Sequence, residues 1–248
     1  MFGRSPRIAA FLLHLTGSVL LALLALAVVF LVWYPSPFAR SMGVTHIFLL
    51  MLGVDVVSGP LITFVVSTPG KARRKLIFDI VVIISIQLSI FGYGISTVAS
   101  GRPAWLVFNG DKYDLVRAID VTPHRTHPVL AEFNHIPWMG PKWAAVHLPD
   151  DTAERKKIVS DVLSSGINFS ARPDLFRTVD QERSRIHAQA RPFGTLRLNN
   201  STAAVDQVQA QWPKASLWLP LIGNTANMVV LLDATGRELA VVDLNPDS

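Results

Sequence analysis

Three apolar stretches, about residues 8–32, 44–66 and 76–98, dominate the first hundred positions of this 248-residue chain. A helix over any of them covers ~35 Å or more, enough for a hydrocarbon core of ~30 Å. They predict three transmembrane α-helices. The first is too long for the apolar part of a cleaved signal peptide. Trp33-Tyr34-Pro35 follows it, where a small-residue cleavage site would stand. Trp33 and Tyr34 read as an interfacial aromatic belt, and Pro35 and Pro37 end the helix.

The charge pattern orients the spans. The net charge is +5, and the excess sits on Arg4, Arg7, Arg40, Lys71, Arg73, Arg74 and Lys75 against Asp55 and Asp79. The rest of the chain is balanced. A nucleic-acid binder carries its excess on the folded domain, so membrane lipid is the expected partner and nucleic acid is not. Loop 67–75 holds four of the positive charges, and Arg4 and Arg7 precede the first span, whereas loop 34–43 holds only Arg40. The positive-inside rule then puts the N-terminus and loop 67–75 in the cytoplasm. Residues 101–248 fall outside, in a bacterium the periplasm. The expected architecture is a membrane region, 1–100, followed by an α+β extracytoplasmic domain, 101–248. Cysteine is absent, which excludes disulfides, thiol catalysis and Cys-ligated metals.

Polar residues interrupt the spans. Asp55 lies near the middle of the second, where a charge costs ~3 kcal/mol on insertion scales, so it must face protein or water, or be protonated. Gly59-Pro60 follows one turn later. Pro60 cannot donate to the Val56 carbonyl, which predicts a kink, with Thr63 near enough to satisfy a freed carbonyl. The third span carries Asp79, Gln87 and Tyr93, and Gly92 and Gly94 permit close approach of a neighbour. Two intramembrane aspartates raise the possibility of an aspartyl enzyme whose carboxylates share a proton. Their depths differ, however: Asp55 lies ~18 Å from the cytoplasmic end of its helix and Asp79 only ~6 Å. The expected roles are pairing across spans, Asp79 answering the basic loop, or Asp55 lining a groove for a partner helix.

After residue 100 the pattern is that of a mixed α+β domain. Trp105-Leu106-Val107-Phe108, Asn109-Gly110 and Tyr113-Asp114-Leu115-Val116 predict a hairpin with a type I′ turn. Residues 121–141 read as a long loop and 142–148 as a short strand. Asp151-Thr152-Ala153-Glu154 is a capping box opening a helix with Ile158, Val159, Val162 and Leu163 on one face, and Gly166 stops it. Further helices are expected over about 180–190 and 202–212. A closing hairpin, 228–232 and 239–242, is expected at the centre of the sheet. His124, His127 and His135 have a spacing that could hold a metal, but a solvated loop is the better reading. No nucleophile elbow, Walker loop or dinucleotide fingerprint is present, so no catalytic, cofactor-binding or metal residues are assigned.

Several runs in the membrane half carry a family resemblance. They are Phe30-Leu31-Val32-Trp33-Tyr34-Pro35, Gly53-Val54-Asp55-Val56-Val57-Ser58-Gly59-Pro60-Leu61-Ile62-Thr63, then Asp79, Gln87, Tyr93-Gly94 and Arg102-Pro103. With these the chain resembles the type IV pilin accessory family (TfpX/TfpZ, or FimB-like) over its first ~120 residues. The C-terminal end agrees more loosely, and Asp247-Ser248 stands where the family carries an aromatic after Asn245-Pro246. The resemblance implies an inner-membrane accessory factor, chaperone-like and not an enzyme. It would act on a cognate type IV pilin, the major pilin, before or during fibre assembly, with the pilus assembly machinery as a further partner. On this reading Asp55, Gly59, Pro60, Thr63, Gln87, Tyr93 and Gly94 are candidates for a groove that takes the pilin helix. Arg102, Pro103 and Trp105 are candidates for a contact at the domain entrance. The alternatives are a membrane-anchored periplasmic ligand-binding sensor, the intramembrane aspartyl enzyme and a transporter subunit. Cytoplasmic parts of seven and nine residues leave no room for a sensor's output domain, and no internal repeat suggests a transporter.

Overall fold

The first apolar stretch becomes α1, Pro6–Ala27, which widens into a π-helical segment, Val28–Trp33, before the prolines. The second and third become α3, Val44–Val66, and α4, Arg73–Ser100, with a four-residue helix α2, Phe38–Ser41, before α3. The computed structural model describes residues 6–68, 70–122 and 127–246. Three of its helices are long and apolar enough to cross a membrane: Arg7–Trp33, Val44–Val66 and Arg73–Ser100. The chain forms two compact units. One is Met1–Val32 with Val44–Ser100, and the other is Trp33–Gly43 with Gly101–Ser248.

In the membrane unit α3 packs against both α1 and α4. α3 runs unbroken through Pro60. Side chains reach its C-terminal carbonyls, which lie in the last turn where intrahelical donors run out. Arg7 donates to the Phe64 carbonyl at 3.3 Å, the Ser67 hydroxyl to that of Thr63 at 2.7 Å, and Lys71 to that of Val66 at 3.1 Å. Two of these donors are cations at a helix C-terminus, where the dipole favours positive charge.

The C-terminal unit is built on one mixed sheet in the order β4-β3-β1-β2-β6-β7-β8. Its strands are β1 Pro103–Asn109, β2 Lys112–Arg117, β3 Lys142–Val146, β4 Phe176–Arg177, β6 Leu217–Ile222, β7 Met228–Leu232 and β8 Glu238–Val242. β5, Arg191–Pro192, pairs with the start of β6, and β2 pairs with its end at Tyr113↔Leu221 and Asp114↔Ile222. The closing hairpin β7–β8 therefore forms one end of the sheet, not its centre. The β1–β2 hairpin lies in the middle instead, because β1 takes β3 in parallel and β2 takes β6 in parallel. Its loop is Gly110-Asp111, and only Gly110 has positive φ, 80°. That is the type II′ pattern and not the expected I′, which needs positive φ at both positions.

Side-chain alternation explains why both faces of the sheet are covered. Leu106, Phe108, Leu219, Leu221, Met228 and Val230 point to one face, with Ile186 of α6 (Arg183–Gln189) and Phe38 of α2. On the other face Trp105 and Val107 meet Ile158 of α5 (Thr152–Ser165). There too, Trp218, Val229 and Leu231 meet Val205 of α7 (Thr202–Gln211). α5 is capped as expected: Asp151 accepts from the Glu154 N–H at 2.8 Å, and Gly166 is left-handed at φ 70°. Leu163, expected on its apolar face, is 80% exposed, since five residues carry it well off the Ile158 side. α6 is shorter than expected.

Residues Trp33–Gly43 form a strap docked on the C-terminal unit. The Ser41 hydroxyl donates to the Ala226 carbonyl at 2.8 Å, and the Ser41 carbonyl accepts from the Thr225 N–H at 2.8 Å. Arg40 pairs with Asp243. Gly223 lies against Ser41, where a Cβ would meet its hydroxyl.

Two tyrosines of this unit are held neutral. Burial pushes the Tyr34 phenol up to about 12, against an opposing pull from Arg102 and Arg117. Burial, then the Glu238 carboxylate that accepts its proton at 2.5 Å, raises Tyr113 well above the ordinary value. A raised folded value leaves their contribution to stability intact below pH ~10 and removes it as pH climbs toward 12 and beyond. Two of the chain's three tyrosines are therefore expected to ionise late in an absorbance titration. The melting temperature of this unit should hold from pH 8 to 10 and fall above it. Ionisation of all three near pH 10 with the fold intact would contradict this.

Candidate functional site

Within the membrane unit four polar side chains converge. His14 and Ser18, four residues apart, lie on one face of α1. His14 Nδ1 lies 2.6 Å from the Thr63 hydroxyl of α3, and Nε2 lies 2.9 Å from Gln87 Oε1 of α4. Gln87 Nε2 donates to the Ser18 hydroxyl at 3.3 Å and to the Asp55 carbonyl at 2.9 Å. An amide oxygen only accepts, so a neutral His14 carries its proton on Nε2 and accepts the Thr63 hydroxyl proton at Nδ1. Each hydrogen of the Gln87 amide is used. In lipid such bonds join helices, because the alternative is an unsatisfied polar group in hydrocarbon.

Gly59 makes the arrangement possible. A Cβ there would sit 2.6 Å from Gln87 Cδ, so only glycine lets the amide cross α3. Gly59 and Pro60 are buried, and Thr63 is fully buried. The Thr63 hydroxyl serves His14 and not a carbonyl freed by Pro60. Gly94 lies against the Met51 sulfur, whereas Tyr93 is 77% exposed. Asp79 pairs with Lys71 of the basic loop. Asp55 Oδ2 is buried without a hydrogen-bond partner among the described residues. Of the sequence candidates, the fold thus brings Gly59, Thr63 and Gln87 together. His14 and Ser18 were missed, although both break an apolar run at helical spacing.

Beside this node a cleft of about 300 Å³ opens between α1 and α4, lined by Leu13, His14, Gly17, Ile84, Gln87 and Leu88 among others. Its walls are apolar, and His14 and Gln87 supply a polar floor. Gly17 faces open space: a Cβ there would meet nothing within 4 Å. α4 presents almost all of its surface outward, and Ala99 is the buried residue along it.

The entrance residues of the C-terminal unit are mostly internal. Trp105 is 1% exposed and packs edge-on to Phe133 and Phe176 at 5.5 and 5.7 Å. Pro103 begins β1 and is buried. The Arg102 guanidinium is buried over Trp138, 4.3 Å from the ring centroid. The surface offers a groove of about 660 Å³ where β2 runs on past the end of β6, lined by Asp114, Ile119, Asp120, Ile167 and Asn224 among others. A second polar cluster joins His147 Nδ1 and Arg185 to the buried Glu182, at 2.7 and 2.5 Å. His127 Nε2 lies 3.5 Å from Glu154, an acid the sequence spacing did not bring near it. His135 is exposed, and His124 lies outside the described residues. Among the described residues no three His, Asp or Glu groups converge as a metal site would require.

Comparisons with known proteins follow the membrane half and extend past it. Residues 4–43, the first span and the strap, match the family "Fimbrial assembly protein FimB". The chain is 32% identical over 242 residues to "Fimbrial assembly protein, serogroup I" of Dichelobacter nodosus, covering 95% of this chain and 92% of that one. It is 30% identical over 240 residues to the serogroup E1 protein of the same organism, covering 94% and 93%. The protein of serogroups C1 and C2 is 41% identical over 111 residues, 45% of this chain and 82% of that one. No solved structure matches the chain significantly. Identity at this level along nearly the whole of both chains places the protein in the FimB family of fimbrial assembly proteins.

Proposed function

We propose that this protein is an inner-membrane accessory factor of pilus assembly that holds a pilin subunit, chaperone-like and without a catalytic step. The observation that carries the reading is the cleft between α1 and α4, open along an apolar pair of helices in a chain whose relatives are named fimbrial assembly proteins. A type IV pilin awaiting assembly has one apolar helix in the membrane and a globular head outside. The cleft takes the helix, with Gly17 allowing close approach. Asp55, whose Oδ2 is buried with no hydrogen-bond partner among the described residues, is a polar group on α3 that a second contact would satisfy. Tyr93 extends the exposed face of α4. The groove along β2 takes part of the head.

The orientation follows the basic residues. Loop 67–75 and the N-terminus face the cytoplasm, and the C-terminal unit lies in the periplasm. Inclusion of the strap in the C-terminal unit supports this topology, since both segments must then lie on one side of the membrane.

Photocrosslinking in the native membrane tests the proposal. A photoreactive residue at Leu13, 77% exposed and lining the cleft, and another at Ile119, 64% exposed beside β2, are expected to give adducts with the major pilin. An adduct from Ile119 alone would move recognition to the C-terminal unit. Inserted protein with no pilin adduct from either site would overturn the reading.

A further inference from the structure

Chain connectivity places two residues of the C-terminal unit at the membrane–water boundary. Trp33 closes the first apolar helix, Arg7–Trp33, and Arg102 stands two residues after Ser100, the end of the third. Both hold the same loop. The Trp33 and Trp138 rings meet edge to face at 5.6 Å. The Arg102 guanidinium lies 4.3 Å over the Trp138 ring and donates to the Pro137 carbonyl at 3.2 and 3.1 Å. Residues 137 and 138 are therefore anchored, within the C-terminal unit, to the residues at which the chain leaves its first and third apolar helices.

There the loop presents apolar side chains outward. Ile136 is 41% exposed, Trp138 59% and Met139 75%. Other large exposed apolar residues of the unit, such as Ile119, Leu163 and Leu198, stand singly. Three within four residues form a patch that water disfavours. Tryptophan and arginine are the side chains favoured at a bilayer interface, one with an apolar body and polar edge, the other with an apolar stem and charged head. The Pro137 carbonyl already has its donors, so that acceptor is not orphaned on approach to hydrocarbon.

We infer that residues 136–139 are an interfacial foot, with Ile136, Trp138 and Met139 inserted among the headgroups and upper acyl chains of the leaflet on which the C-terminal unit lies. The partner is the lipid surface itself. The inference does not depend on pilin binding.

The chain lacks cysteine, so a single introduced thiol reports one position. The full-length Met139→Cys protein, spin-labelled and reconstituted in phospholipid vesicles, would be compared with Leu163→Cys and Leu198→Cys, whose sites are 80% and 83% exposed. Paramagnetic accessibility to oxygen and to a water-soluble nickel chelate is the readout. The expected result is an oxygen-to-nickel ratio at Met139→Cys several times that at the two reference sites. Ile136→Cys should show the same direction. Ratios equal to the references would put the loop in water and overturn the foot. Shielding from both reagents would also overturn it, because the loop would then be covered by protein.

Discussion

Asp174→Ala is expected to cost the C-terminal unit ~3–5 kcal/mol, the scale of removing one partner from a buried ion pair. The Arg172 and Asp174 side chains are 2% and 0% exposed, and the guanidinium grips the carboxylate at 2.9 and 3.3 Å. Arg172 joins two successive tight turns, Phe169–Ala171 and Pro173–Leu175, and Asp174 lies in the second, which leads into β4. Truncating the acid takes away the carboxylate that the buried guanidinium grips. Against a total stability of ~5–15 kcal/mol for a domain, that loss is large. Denaturant unfolding of the full chain in detergent, followed by tryptophan fluorescence, measures it. Replacing both residues with apolar ones of similar volume, Arg172→Met with Asp174→Leu, should recover part of the loss, since the two charges of the pair are then removed together. Equal midpoints for wild type and Asp174→Ala would show that the pair carries no such weight.

Gly59→Ala is expected to weaken the span assembly by about 2 kcal/mol. The new Cβ forces the end of the Gln87 side chain aside, and with it go the bonds to His14, Ser18 and the Asp55 carbonyl. Interhelical bonds in membranes average ~0.6 kcal/mol each, so three account for the figure. Gln87→Leu removes the same bonds, and the double variant should cost little more than either single one, a coupling that a mutant cycle reads directly. Additive losses would mean that Gly59 acts by some other contact. Gly17→Leu makes the contrast. Its side chain enters the open cleft, so insertion and stability are expected to stay at wild-type values while the Leu13 adduct with pilin is lost. A destabilised Gly17→Leu protein would mean the cleft closes in the membrane.

The extents of the long apolar helices were legible because apolar content is a local property of the sequence. The second predicted stretch, 44–66, coincides with α3, Val44–Val66. The caps Asp151 and Gly166 were legible because side-chain reach and backbone φ are local properties. The sequence also marked Gly59, Thr63 and Gln87 as unusual for hydrocarbon, since each polar or glycine position there needs a reason. It did not name their partners. His14 meets Thr63 across 49 residues and Gln87 across 73, and Ser41 meets Ala226 across 185. The position of β7–β8 at one end of the sheet was hidden for the same kind of reason. β7 is buried on both faces, so its unbroken apolar run carries no mark of which strand lies beside it. Local chemistry determined the helices, turns and caps of this protein. Only tertiary packing decided which polar groups satisfy one another, because a desolvated donor requires an acceptor but does not say where along the chain it comes from.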